Sequence, residues 1–195
     1  RLFRTDSARP PADQQGLRAF GPAVAEREAG EVDVNMTILG IDPGYDRLGF
    51  ALIKKGVGQK EKLLLSGCLS SDKTDPFEKR LASLGQSLEN ILVGNVIDLV
   101  AIENLFITKN QKTAMRVAEV RGLVLYLAGR KNIPVREFTP PEIKLAVTGY
   151  GAADKNQVTA MAKLLITLPP TIKHDDEFDA IVIALAGFSK TKNFK

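Results

Sequence analysis

Residues 96–104, VIDLVAIEN, form a nearly continuous apolar run that ends in a carboxylate. A strand with one wet face alternates apolar and polar side chains, so an unbroken run of this length suits a strand covered on both faces. Helices must therefore lie on both sides of the sheet that contains it. The sequence around the run supplies the other elements. TILGID (37–42), RLGFALIKKG (47–56) and KLLLSGCLS (62–70) have strand-like spacing with turn signals between them, which predicts an antiparallel meander. Asp75–Pro76 then opens a helix, with Asp75 as N-cap and Pro76 at the first helical position. Phe77, Leu81, Leu84, Leu88, Ile91 and Leu92 recur along it at helical spacing and form one apolar stripe.

After the central run, a long helix is predicted from about Lys112 to Arg130, followed by a strand IPVREF (133–138). Thr139-Pro140-Pro141-Glu142 starts a short helix that Gly149-Tyr150-Gly151 ends. Asp154 caps another helix, which LPP (168–170) closes, and a last helix runs from about Asp175 to Ser189. The order βββαβαβααα predicts an α/β fold with a mixed central sheet and helices on both faces.

The first 35 residues differ in kind. They hold a Pro-Pro pair, scattered Gly, five Arg and six acids, and no sustained apolar period, so they cannot bury enough surface to offset their ordering entropy. Residues 1–35 are read as a disordered or non-native extension ahead of Met36, with a disordered regulatory arm as the competing reading. Residues 36–190 form the folded domain and 191–195 a C-terminal tail. The remaining 22 basic and 17 acidic residues give residues 36–195 a net charge of +5, against +4 for the whole chain. That surplus favours a polyanionic partner without specifying one. A single cysteine, Cys68, fits a reducing cytoplasmic setting. The longest apolar stretches, Gly122–Gly129 and Ala180–Phe188, fall well short of the ~18–20 residues of a membrane span.

Four acids fall where this layout would gather them. Asp42 and Glu103 each end an apolar strand, while Asp176 and Asp179 are three apart on the last helix and share a face. Like charges about 5 Å apart repel by ~3 kcal/mol at an effective dielectric near 20. Such a cluster needs either protons or cations. A carboxylate set without a cysteine or histidine cage selects hard cations, Mg²⁺ or Mn²⁺ before Zn²⁺. Two such ions can clamp the attacking water and the departing oxygen of a phosphodiester. Taken singly, each acid has a plainer role: Asp42 in an Asp-Pro-Gly turn, Glu103 in an ion pair with Lys109 or Lys112, and Asp176 against a helix dipole.

The chain resembles the RuvC family of bacterial Holliday-junction resolvases, members of the RNase H-like superfamily. The resemblance spans nearly all of Met36–Lys190 and is carried by Ile-Leu-Gly-Ile-Asp42-Pro-Gly, Ala-Ile-Glu103-Asn-Leu-Phe106, Ala118-Glu-Val-Arg121-Gly122, Val147-Thr-Gly-Tyr-Gly151-Ala-Ala-Asp-Lys155 and Asp176-Glu-Phe-Asp179-Ala-Ile. It implies an RNase H-like fold and a homodimer that nicks two strands of a four-way DNA junction symmetrically, during recombination and repair. It also implies a branch-migration helicase complex as partner, and Mg²⁺, with Mn²⁺ as a substitute and two ions per site, held in each subunit by Asp42, Glu103, Asp176 and Asp179 as the catalytic set. His174 competes with Asp176 for the third position.

The resemblance further implies that Phe106 stacks on or wedges between junction bases, with a core role as the alternative. Lys144 and Lys155 flank the Gly149–Gly151 loop at family phosphate-contact positions. Lys109, Lys112, Arg116 and Arg121 form a second basic group on the long helix, and as a set facing the cleft they would make DNA binding strongly salt-dependent. Surplus apolar residues on that helix, among them Val117, Val120, Leu123 and Tyr126, suit either a partner subunit or burial within the domain. Rival readings are another RNase H-like nuclease acting on structured RNA, a junction-binding protein without activity, and an actin-like ATPase, which needs about twice the length.

Overall fold

The computed structural model describes residues 35–104, 111–170, 172 and 174–189, with the side chains of residues 111 and 112 outside that description. Its elements follow the expected order: β1 (Met36–Asp42), β2 (Arg47–Lys55), β3 (Lys62–Ser70), α1 (Phe77–Gly94), β4 (Leu99–Glu103), α2 (Gln111–Arg130), β5 (Val135–Phe138), α3 (Pro140–Thr148), α4 (Lys155–Leu165) and α5 (Asp175–Gly187). The five strands form one sheet in the order β3-β2-β1-β4-β5. β1 to β3 are the antiparallel meander, and β4 and β5 continue the sheet parallel to β1. Residues 1–34 and 190–195, which hold the tail and all of the extension but Asn35, lie outside the described residues.

Strand alternation divides the core into two layers. Ile38, Ala51, Ile53, Leu99 and Ala101 face α3, α4 and α5, whereas Leu39, Ile41, Leu48, Phe50, Leu52, Val100 and Ile102 face α1 and α2. The apolar run of β4 is covered on both faces, as its composition requires. It is shorter than its sequence pattern: Val96 is exposed, and Asp98 precedes the strand, its carboxylate accepting a hydrogen bond from Thr37 N at 2.8 Å.

Local signals fix most boundaries. Thr139 and Glu142 form a reciprocal capping box at α3, Asp154 and Gln157 another at α4, and Gly149 ends α3 in the left-handed conformation at φ 77°. At α1 the expected cap is displaced by one residue. Pro76 itself is the N-cap, in an extended conformation with ψ 146°, and no side chain caps the helix; the Pro76 carbonyl instead accepts from Lys79 N and Arg80 N. Among the described residues no helix is long and apolar enough to cross a membrane.

Candidate active site

Asp42 and Glu103 are brought together by register. The parallel β1–β4 pairing sets Ile41 against Ile102, so the next residue of each strand lies at the same level. Both follow residues of the α1/α2 face and therefore project to the α5 face, beyond Gly40 and Ala101. The Asp42-Pro43-Gly44 turn is closed through the backbone, Gly44 N donating to Asp42 O at 2.9 Å, so the turn does not consume the carboxylate.

Two glycines seat α5 directly on the sheet. A Cβ on Gly40 would lie 2.2 Å from Ala180 O and 2.5 Å from Ala184 N, and one on Gly49 would lie 1.9 Å from Asp176 O. Only hydrogen at those two positions permits this approach. The close seating carries the first turns of α5, with Asp176 and Asp179, over the C-terminal ends of β1 and β4.

The electrostatics record the resulting proximity. Burial, then the charges of Glu103, Asp179 and Asp176, push the Asp42 carboxyl from 3.8 up to about 7. Burial and then Asp179 raise Glu103. Burial also raises Asp179, with Lys155 opposing and Asp175 and Asp176 reinforcing. Arg47 Nε lies 2.8 Å from Asp176 Oδ2, yet that oxygen is buried and receives no aligned hydrogen bond. Among the described residues, no three His, Cys, Asp or Glu side chains are drawn tightly enough to ligate a single ion.

Two adjoining clefts share Glu103 and Pro140. One, of about 310 Å³, is lined by Asp42, Gly44, Glu103, Asn104, Val117 and Asp176. The other, of about 260 Å³, has Glu103, Asp179, Lys144 and Lys155 at its polar side and Ile143, Val158 and Val182 in its apolar wall. Asp176 lines the first cleft, while His174 is exposed at the N-cap of α5.

Of the remaining predicted residues, Lys144 and Lys155 line the second cleft, whereas Arg116 and Arg121 are drawn to other partners. Lys155 Nζ pairs with Asp175 Oδ2 at 3.0 Å, and both side chains are largely exposed. Arg116 pairs with Glu119, and its guanidinium sits 3.8 Å over the Phe77 ring, against α1. Arg121 is mostly covered and pairs with Glu137 of β5, with its Nε buried and unpartnered. Phe106 and Lys109 lie outside the described residues, as does the side chain of Lys112. Arg47 and Gly49 join the site without standing in any of the quoted motifs, whereas Gly40 lies within the Ile-Leu-Gly-Ile-Asp42 match. The two glycines did carry a signal, each interrupting a buried strand, whereas nothing in the sequence linked Arg47 to an acid more than a hundred residues away.

The family model for crossover junction endodeoxyribonuclease RuvC matches residues 38–187. Curated RuvC crossover junction endodeoxyribonucleases are similar along most of the chain: that of Petrotoga mobilis is 40% identical over 160 residues, covering 82% of this chain and 98% of its own. That of Desulforamulus reducens is 41% identical over 77% of this chain and 91% of its own. Among solved structures, T. thermophilus RuvC in complex with a Holliday junction substrate superposes with a TM-score of 0.73 at 27% identity, covering 77% of this chain and 92% of that one. The yeast mitochondrial Holliday junction resolvase shares the fold, with a TM-score of 0.58 at 14% identity over 80% of both chains. With its sheet order, its four acids and these likenesses in agreement, the chain belongs to the RuvC family of crossover junction endodeoxyribonucleases.

Proposed function

We propose that this protein resolves four-way DNA junctions by hydrolysing a phosphodiester in each of two symmetry-related strands. The observation that carries the reading is the convergence of Asp42 and Glu103, at the ends of adjacent parallel strands, with Asp176 and Asp179 on a helix seated against glycine. In hydrolysis a water oxygen bonds to phosphorus, one ester P–O bond breaks, and the departing oxygen takes up a proton.

The chemistry of the donor set, four carboxylates without a histidine or cysteine cage, suits a hard divalent cation, and binding one would draw together carboxyls of which no three now lie close enough to share an ion. Three of its carboxyls are lifted by burial and by neighbouring acids, a cost that a cation relieves, and Asp176 Oδ2 is buried without a hydrogen-bond partner. Asp42, Glu103, Asp176 and Asp179 would hold Mg²⁺, or Mn²⁺ in its place, with two ions per site as the working number. When bound, such ions polarise the phosphodiester and make water a stronger nucleophile near neutral pH. The chain's own part is to hold the four carboxylates with sheet and helix backbone, to bring phosphate to the cleft with Lys144 and Lys155, and to limit water through the Val117 and Pro140 wall. Phe106, by family resemblance, wedges at the junction's branch point.

A homodimer matches the approximate two-fold symmetry of a junction. On α2, Met115, Ala118, Gly122 and Tyr126 recur on one exposed face, with Met115 66% and Tyr126 60% accessible, while Val120, Val124 and Leu127 are buried within the domain. That exposed face is the proposed contact, testable by light scattering of wild type and Met115→Glu. The family resemblance adds a branch-migration helicase complex and a cytoplasmic setting.

Incubating the full chain and Mg²⁺ with a labelled four-way junction, a linear duplex and an RNA–DNA hybrid tests the activity. Paired symmetric nicks on the junction alone are expected. Preferred cutting of structured RNA or of the hybrid would favour the RNA nuclease reading, and binding without cleavage a non-catalytic junction binder.

A further inference from the structure

Arg47 is the first residue of β2, and two positions further along the same strand Gly49 lies beneath the Asp176 carbonyl. One strand therefore seats the backbone of α5 and brings a guanidinium to its side chain. Among the described residues, Arg47–Asp176 is the ion pair that involves one of the four clustered acids. We propose that Arg47 is a positioning residue that competes with the divalent cation for Asp176 Oδ2, and so sets how tightly the carboxylate cluster takes up metal. The inference rests on the proposed reading of that cluster as a metal site.

Three features of the pair favour exchange over a fixed clamp. The contact is a 2.8 Å approach of Nε to Oδ2 without hydrogen-bond alignment, whereas a structural Arg–carboxylate pair characteristically uses two aligned N–H donors. The Arg47 side chain is 52% exposed, so its guanidinium can swing into solvent at little cost of its own. Asp176 Oδ2, by contrast, is buried and cannot turn to water for compensation. It must be served by one cation or the other, and two positive groups on the same oxygen repel each other.

A guanidinium does not deprotonate in the accessible pH range, so raising the pH cannot release Arg47. A competing cation at Asp176, a proton included, or another anion for the guanidinium can do so. Arg47 thereby neutralises part of the cluster's charge and lowers its affinity for metal, while keeping the Asp176 side chain at the edge of the cleft.

The test is Mn²⁺ binding to the full chain without DNA, read from the electron paramagnetic resonance signal of free Mn²⁺. Wild type is compared with Arg47→Gln, Arg47→Lys, Asp176→Asn and the Arg47→Gln/Asp176→Asn double variant. Removing one positive charge beside the site is expected to tighten Mn²⁺ binding about five- to tenfold in Arg47→Gln. Arg47→Lys, which keeps the charge, should lie nearer wild type. In the Asp176→Asn background the same Arg47 change should alter affinity less than about twofold, because the contested oxygen is gone. Unchanged or weaker binding by Arg47→Gln overturns the proposal, as does equal tightening in the Asp176→Asn background. Melting curves in EDTA establish that each variant is folded, and Arg47→Met, which keeps the aliphatic packing, replaces Arg47→Gln if the latter unfolds. A wild type that binds no Mn²⁺ removes the metal reading itself, whereas Mn²⁺ binding indifferent to Arg47 removes only this inference.

Discussion

Asp42 and Glu103 stand side by side one residue beyond the Ile41–Ile102 pair, where two parallel strands end at the same level and both carboxyls project toward α5. Neither strand alone specifies this arrangement. It follows from a register that the hydrophobic alternation on both strands enforces, since a slip of one residue would exchange Leu39, Ile41, Val100 and Ile102 with the opposite layer. The acids are thus held together by the folding energy of the core.

That enforced proximity predicts an inverse pH dependence of stability in EDTA. Asp42 titrates near 3.8 when unfolded and at about 7 when folded, so between those limits the native protein retains a proton that the unfolded chain has lost. Stability from this group is fully present below about pH 4 and declines as pH rises toward 7, by at most roughly 4 kcal/mol. Glu103 and Asp179 are raised as well and contribute with the same sign. Asp42→Asn should flatten this decline and raise the melting temperature in EDTA at pH 7 to 8. The same variant should bind junction DNA while losing metal-dependent cleavage; undiminished cutting would remove Asp42 from the mechanism.

The seating of α5 predicts a strong steric effect at two glycines. Gly40→Ala or Gly49→Ala forces a methyl group into carbonyl oxygens of α5, and the clash is with backbone, which cannot rotate away. Each should cost about 3 kcal/mol or more in urea unfolding, at the upper end of overpacking effects. A cost below about 1 kcal/mol would mean that α5 does not sit this close to the sheet.

A comparable test applies to the loop that follows Asp42. The nearly buried Arg80 of α1 donates to Asp46 Oδ1 at 2.7 Å, to Tyr45 O at 3.2 Å and to Ser71 Oγ at 3.0 Å, tying residues 45 and 46 to the end of β3. Arg80→Ala should destabilise by about 2 kcal/mol, less than a fully buried pair because Asp46 is partly exposed and also pairs with Lys73. Arg80→Lys, which cannot span all three acceptors, should recover less than half of that loss. Denaturant midpoints of the three proteins decide it.

What the sequence revealed and what it withheld divide along physical lines. The element order was legible because period-2 and period-3.6 patterns are local, and the capping boxes at Thr139 and Asp154 are written in four consecutive residues. The α1 cap falls one residue later than the sequence suggests, at Pro76, because Asp-Pro permits either residue to take the extended conformation. Asp42, Glu103, Asp176 and Asp179 could be picked out from strand ends and helix spacing. Arg47 could not, since its partner depends on how α5 crosses β2. Arg121 belongs by sequence to a basic group expected to meet DNA, yet Glu137 on β5 draws it inward, a contact made by β4–β5 pairing and visible only in three dimensions.

The two cleft lysines predict a measurable change in salt dependence. Lys144 lines the cleft beside Glu103 and Asp179, and Lys155 joins it while paired to Asp175 across an exposed 3.0 Å contact. If each meets one phosphate, Lys144→Ala should reduce the slope of log affinity against log salt by about 0.9 for duplex arms. Lys155→Ala should do the same but with a smaller loss of affinity at a given salt, because wild-type Lys155 must give up Asp175 to engage DNA and the alanine variant is spared that exchange. Asp175→Asn should then strengthen junction binding slightly, and only when Lys155 is present. Fluorescence anisotropy with a labelled four-way junction in Ca²⁺, from about 50 to 200 mM salt, measures all three. A slope unchanged in both lysine variants would place the DNA path away from this side of the cleft, and a gain from Asp175→Asn that persists without Lys155 would mean that Asp175 repels the phosphates directly.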